Sequence, residues 1–286
     1  MPSVIEKPLA VAYPGRDGAH SAAACERLFP TGAELRPLPS FLAVAEATVG
    51  GEVDFGVLPI ESSLAGSVAE THDLLHEYPL SIVAETALRI RHCLVGIGDV
   101  PLDQLRVIRS HPVALDQCRG LVAGLPWATA IAAATTADAA RQVAESGDPT
   151  QAAIASERAA QLHGLTVIAG DVGDHPEAYT RFVSISTYTR IDREAEEWRT
   201  AFTFVTDHSP GALYRAIEPF GRLRIDLHQL VSRPIPKTPW RYRFDAVLAG
   251  HPLDPIVSEA LREMQARTRR LQVFGSYPAR RDVGEG

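Results

Sequence analysis

The feature that most restricts the fold is a succession of short apolar runs, each closed by a small or polar residue and followed by an amphipathic stretch. Residues 9–13 form the first run, Pro14 ends it, Gly15 and Gly18 turn the chain, and residues 19–29 have helical spacing. The same reading predicts a helix over 41–49, a buried strand over 53–60 ending at Glu61, and a helix over 67–76. An extended stretch over 80–91 follows, then a strand over 106–110, helices over 112–123 and 136–146, and a strand over 151–154. Alternation of this kind predicts an α/β fold with mostly parallel sheets. In such sheets ligands settle beyond the carboxyl ends of strands, where Glu61, Ser110 and the turn after Tyr13 all fall. The first turn lacks the glycine spacing of a dinucleotide-binding loop.

After Thr187 the texture changes. Residues 190–198 are dense in charge and read as a linker or a solvated helix. Beyond them come a strand over 200–206 and a helix over 211–220, with Ser209 as N-cap and Pro210 opening it. Strands over 225–233 and 240–250, a helix over 253–268 and a strand over 270–276 complete the order βαββαβ, the ferredoxin-like split βαβ arrangement. A chain of 286 residues suits two domains.

Composition removes several classes. The 28 basic residues are outnumbered by 35 acidic ones, and the arginines at 267, 269, 270, 280 and 281 have acidic neighbours, so no nucleic-acid partner is expected. Cys25, Cys93 and Cys118 form no Cys-x-x-Cys pair, which predicts reduced, buried thiols in a cytoplasmic protein. The first residues lack the apolar core of a signal peptide, and no run approaches about 18 apolar residues, so no membrane partner is expected. No His, Cys and carboxylate cluster has metal-ligand spacing, so no metal is expected.

Several segments, in order, resemble one family. Glu61-Ser62-Ser63-Leu64-Ala65-Gly66-Ser67-Val68 is similar to the Glu-Asn-Ser-x-x-Gly-Ser-Val signature of prephenate dehydratases. Ser110-His111-Pro112 with Gln117-Cys118 resembles their Ser-His-Pro-x-Ala-x-x-Gln-Cys segment, and Thr180-Arg181-Phe182 their Thr-Arg-Phe motif. Pro210-Gly211-Ala212-Leu213 and Ser232-Arg233-Pro234 are similar to the two phenylalanine-binding motifs of the family's ACT domain. Two positions depart from the pattern: Ser62 stands where the family has Asn, and Val231 where it has Glu.

The resemblance implies a two-lobed, periplasmic-binding-protein-like catalytic domain over 8–187 and a regulatory ACT domain over 198–278. It implies prephenate as substrate, phenylpyruvate, CO2 and water as products, phenylalanine as effector, and no metal or organic cofactor. No chorismate mutase segment precedes the motifs, so the monofunctional type is expected, as a homodimer or homotetramer. Arogenate dehydratase, a non-aromatising prephenate decarboxylase, and a silent amino-acid-binding protein are the alternatives; product spectra separate them.

Prephenate carries two carboxylates and a ring hydroxyl that leaves as water, so neutral donors and one cation suit it better than carboxylates do. Thr180, Arg181 and Ser110 are the candidate catalytic set, and Ser62, Ser63, Gln117, His111, Glu61 and Phe182 the candidate substrate-binding set. Thr180 is read as the group bonding the departing hydroxyl, against the plainer reading of a turn residue. Arg181 is either a carboxylate clamp or half of a structural ion pair. Gln117 either faces substrate or faces solvent, and Glu61, repelled by a dianion, suits a structural hydrogen bond. Phe182 suits core packing or a cleft wall. Gly211, Ala212, Leu213, Ser232, Arg233 and Pro234 are the candidate effector site, with Gly211 alternatively opening a tight turn.

Overall fold

The computed structural model describes residues 8–189, 195–236 and 238–279. Its elements, in chain order, are β1 (Ala10–Pro14), α1 (His20–Leu28), β2 (Glu34–Leu38), α2 (Phe41–Val49), β3 (Phe55–Ser62), β4 (Gly66–Ser67), α3 (Ala69–Glu77) and β5 (Ser81–Arg89). The chain then crosses into β6 (Cys93–Gly96), β7 (Val107–Ser110), α4 (Pro112–Gln117), α5 (Arg119–Gly124), β8 (Thr129–Ala132), α6 (Thr136–Ser146), β9 (Gln151–Ala155), α7 (Glu157–Leu162) and β10 (Thr166–Ala169). It returns as β11 (Tyr179–Ser186) and ends in β12 (Trp198–Val205), α8 (Ala212–Arg222), β13 (Leu227–Pro234), β14 (Tyr242–Ala249), α9 (Pro255–Ala266) and β15 (Arg270–Pro278).

Three sheets result. The first runs β2-β1-β3-β11-β5 with β4 attached to β3; the second runs β10-β6-β9-β7-β8; the third runs β13-β14-β12-β15. The expectation of mostly parallel sheets is corrected. β1 pairs in parallel with β2 and β3, but β11 is antiparallel to both β3 and β5. In the second sheet β7 is parallel to β8 and β9, while β6 is antiparallel to β9 and β10. The cause is the double crossover between lobes: a strand returning from the other lobe enters its sheet from the cleft side and runs against its neighbours.

Local chemistry places the helices well. Ser40 accepts a bond from the Ala43 amide and caps α2; Thr135 caps α6 through the Asp138 amide. The single helix expected over 112–123 is instead broken at Cys118, because the Asp174 carboxylate takes the amides of Arg119 and Gly120. The helix expected from residue 211 begins at Ala212. Its cap is Gly211 at φ +75°, not Ser209, a left-handed position that favours glycine. Of the linker expected over 190–198, residues 190–194 lie outside the described residues.

The C-terminal sheet and its two helices enclose Phe202, Phe204, Phe220, Leu248 and Met264. Its opposite face joins the first lobe, where Ala201, Val247, Phe274 and Tyr277 share one core with Leu58, Leu74, Ile82 and Val183. Burying a large apolar side chain is worth about 1.5–3 kcal/mol, so this shared core binds the module firmly to the lobe.

Candidate active site

Strand register defines the cleft. In the first lobe the end of β3 lies beside the start of β11, with Thr180 opposite Ser62 on one side and Leu88 of β5 on the other. In the second lobe the end of β9 meets the start of β6, Ala155 opposite Cys93, and β7 ends at Ser110 opposite Ala132. The crossovers at 90–92 and 170–178 join these two edges. The Ser156 hydroxyl donates to the Gly18 carbonyl at 2.7 Å, Arg16 meets Asp138 at 2.7 Å, and Arg158 pairs with Glu26, so one flank is closed by bonds between lobes.

The expected residues divide into two groups. Thr180 is half-buried, and its hydroxyl has no protein partner among the described residues. Arg181 lies 3.7 Å from Glu61 across the β3–β11 pair, the ion-pair arrangement of the two alternatives read for it. Ser62 turns its hydroxyl back to accept from the amides of Leu64 and Ala65, at 3.3 Å each. Ser63 accepts from the Tyr179 amide at 2.9 Å and pins the start of β11. Ser110 is fully buried and donates to the Ile154 carbonyl at 2.6 Å, so its hydroxyl secures β7 to β9 from inside the lobe. The His111 Nδ1 accepts from the Val113 amide at 3.2 Å and caps α4. Phe182 is in the core with Val11, Tyr13 and Cys25. Burial pushes the Cys118 thiol up to about 12, with Asp174 adding to the rise, which fits an inert buried thiol.

Gln117 is held. Its Oε1 lies 2.8 Å from His92 Nε2, and its carbonyl accepts from the Asp174 amide at 2.8 Å. Sequence reasoning missed His92, and also His20, the first residue of α1; the two rings meet edge to face with centroids 6.1 Å apart. Burial pulls His20 down to about 4, and burial likewise lowers His92, against the smaller opposing pull of its Gln117 bond. Arg89 and Arg91 join His20 and Ser156 around a recess of about 430 Å3 between the lobes. Arg91 and His92 stand at a crossover and His20 and Ser156 at helix starts of different lobes, so only the contact between lobes, which has no local signature, brings them together.

A second polar set links the cleft to the C-terminal module. Glu61 pairs with Ser67 between β3 and β4, and the Ser67 hydroxyl lies 2.9 Å from His72 Nε2. His72 Nδ1 lies 3.2 Å from Asp245 of β14. Burial alone would raise the Asp245 carboxyl, but His72, Thr203 and Arg243 outweigh it and hold it below the usual carboxylate range. Asp73 receives both Arg243 and Arg233, the latter at 3.2 Å, so the Arg of Ser232-Arg233-Pro234 points at α3 of the first lobe. Ser232 and Pro234 are exposed on edge strand β13. Gly211, Ala212 and Leu213 open α8 at the same end of that sheet, since Ser232 pairs with Phe244 and Phe244 with Phe204.

A cleft of hydroxyls, amides, neutral imidazoles and arginines between two α/β lobes defines an enzyme of small-molecule metabolism. Residues 11–190 match the family model described as prephenate dehydratase, and the chain belongs to that family. It is 36% identical, over 94% of its length and 72% of the relative's, to arogenate dehydratase/prephenate dehydratase 2 of Arabidopsis thaliana. It is 33% identical to a bifunctional N-acyl-homoserine lactone acylase/prephenate dehydratase of Komagataeibacter europaeus, over 94% of this chain and 95% of the relative. The solved prephenate dehydratase of Arthrobacter aurescens, in complex with L-Phe, superposes with a TM-score of 0.86 at 29% identity, covering 95% of this chain and 90% of that one. Among the described residues no helix is long and apolar enough to cross a membrane.

Proposed function

We propose that the chain converts prephenate to phenylpyruvate, CO2 and water as a cytoplasmic enzyme, with Thr180 at the leaving hydroxyl. The C–C bond to the ring carboxylate breaks, its electron pair enters the ring, and the C–O bond opposite releases hydroxyl, which takes a proton and leaves as water. Aromatisation drives the step, so the protein has to orient the ring and bond the departing oxygen. The observation that carries the reading is the half-buried Thr180 hydroxyl, without a protein partner among the described residues, at the start of β11. Gln117 and, from the recess between the lobes, Arg89 and Arg91 are the donors assigned to the two carboxylates, Arg89 being also bonded to the Pro176 carbonyl. Arg181, paired with Glu61, acts by holding the edge of β3 against β11. Incubation with prephenate and with arogenate tests the reading: phenylpyruvate, by its absorbance in alkali, from the first supports it. Phenylalanine from arogenate alone would reassign the substrate, and a non-aromatic product would reassign the reaction.

The module over 198–278 is proposed as an ACT domain that senses phenylalanine in a dimer or larger oligomer. The βαββαβ order and the sheet order β13-β14-β12-β15 support it, as does the L-Phe complex of the Arthrobacter aurescens protein. The α8 start at Gly211 offers the positive end of the helix dipole to a carboxylate, with the Ala212 amide already bonded to the Ser209 carbonyl. Exposed Leu230, Ser232 and Pro234 on edge strand β13 suit the neighbouring chain's side of such a site.

A further inference from the structure

We propose that His92 is a positioning residue: its neutral ring donates from Nε2 to Gln117 Oε1 and thereby presents the Gln117 amide N–H groups to substrate. The proposal rests on the reading that Gln117 touches prephenate.

Four observations carry it. His92 is 5% exposed, and its Nε2 lies 2.8 Å from Gln117 Oε1. Its Nδ1 is enclosed without a partner among the described residues. A neutral imidazole has one N–H to place. Placed on Nδ1, that N–H would be a buried donor left unmade, whereas a bare Nδ1 lone pair is the cheaper orphan. The hydrogen therefore belongs on Nε2, which fixes the Gln117 amide with oxygen towards His92 and nitrogen away from it. Gln117 Nε2 takes no protein acceptor among the described residues. Both partners are also anchored through their backbones to the second crossover: the His92 carbonyl accepts from Val172, and the Gln117 carbonyl from Asp174, each at 2.8 Å. A free Gln side chain would sample both amide orientations; this one has a single donor-outward pose, suited to a carboxylate oxygen.

A mere structural brace would change stability without a selective effect on binding. The test uses the full chain with His92→Ala, His92→Gln, Gln117→Ala and the double variant His92→Ala/Gln117→Ala. KM and kcat for prephenate are measured, and circular dichroism confirms folding. His92→Ala should raise KM about tenfold, the scale of one lost hydrogen bond, with kcat within about threefold. His92→Gln keeps a donor near the Nε2 position and should restore most of the affinity. The double variant should be no worse than Gln117→Ala alone, because His92 acts only through Gln117. Nitrogen-15 NMR of labelled histidine should find the His92 proton on Nε2. A proton on Nδ1, an unchanged KM in His92→Ala, or losses that multiply in the double variant would overturn the proposal. If Gln117→Ala itself leaves KM unchanged, the presenting role falls while wild-type turnover keeps the proposed reaction standing. A wild-type chain inert on both prephenate and arogenate, by contrast, refutes the functional reading itself.

Discussion

Arg199 of β12 and Glu85 of β5 meet at 2.6 Å across the junction between the C-terminal module and the first lobe, each less than 5% exposed. Removing one partner of such a pair leaves the other charge buried, which costs about 3–5 kcal/mol. Glu85→Ala should therefore lower the melting temperature by on the order of 10 °C. Joint replacement with Arg199→Met and Glu85→Leu should recover most of the loss. Thermal unfolding followed by circular dichroism checks this; a wild-type melting curve for Glu85→Ala would mean that the junction contributes little.

Thr180→Ala should lower kcat about 100-fold or more while leaving the fold intact, because the hydroxyl makes no protein bond among the described residues. Thr180→Ser retains the hydroxyl and should keep more turnover. Initial rates of phenylpyruvate release decide the matter, and near-normal turnover in Thr180→Ala would remove Thr180 from the leaving-group position.

Gly211→Val should abolish phenylalanine binding and leave basal turnover in place. The backbone there has φ +75°, and an added Cβ would lie 2.9 Å from the Arg215 guanidinium, so the α8 start must rearrange. Titration calorimetry with phenylalanine on both proteins reads it out. Equal heats in the two would move the effector site elsewhere.

Activity should persist in EDTA, because no group of three or more His, Cys, Asp or Glu among the described residues is placed to hold a metal ion. Loss of turnover on chelation, restored by a divalent ion, would contradict this.

Stability should fall as pH falls from 6.5 towards about 4. His20 has its native pKa lowered from 6.5 to about 4, so in that window the unfolded chain binds a proton that the folded chain refuses. The contribution is complete above 6.5 and lost on the way down to about 4. His92 shifts in the same direction. Urea unfolding at pH 7.5 and pH 5 should show a smaller gap for His20→Phe than for the wild type; an equal gap would place the acid sensitivity in other groups.

Local chemistry made much of this legible. α2 matches its expected span over 41–49, because Ser40 caps it and the apolar residues within it have helical spacing. The strand, helix and sheet sequence of the module was legible too, apart from its cap at Gly211. β2 was missed because Pro37 and a half-exposed pattern disguise an edge strand. β6, β8 and β10 are only four residues each, too short to show a period. The break at Cys118 depends on Asp174, more than 50 residues on, which no reading of residues 112–123 contains. In the site, the motifs pointed to Thr180 and Gln117, but the inward turn of Ser110 and the partner of Arg181 are matters of strand register. His20 and His92 meet only because two lobes close on each other.

Gly275 of β15 rests directly on the peptide of Ile82 in β5; a Cβ there would come within 2.2 Å of the Ile82 carbonyl oxygen. Backbone against backbone admits no sliding, and β5 runs on into the crossover at 90–92. Module and first lobe are thus joined backbone to backbone at the strand that leads to the cleft. Under the regulatory role proposed for the module, a change at its α8 end would reach the cleft by this route, through β15 and β5.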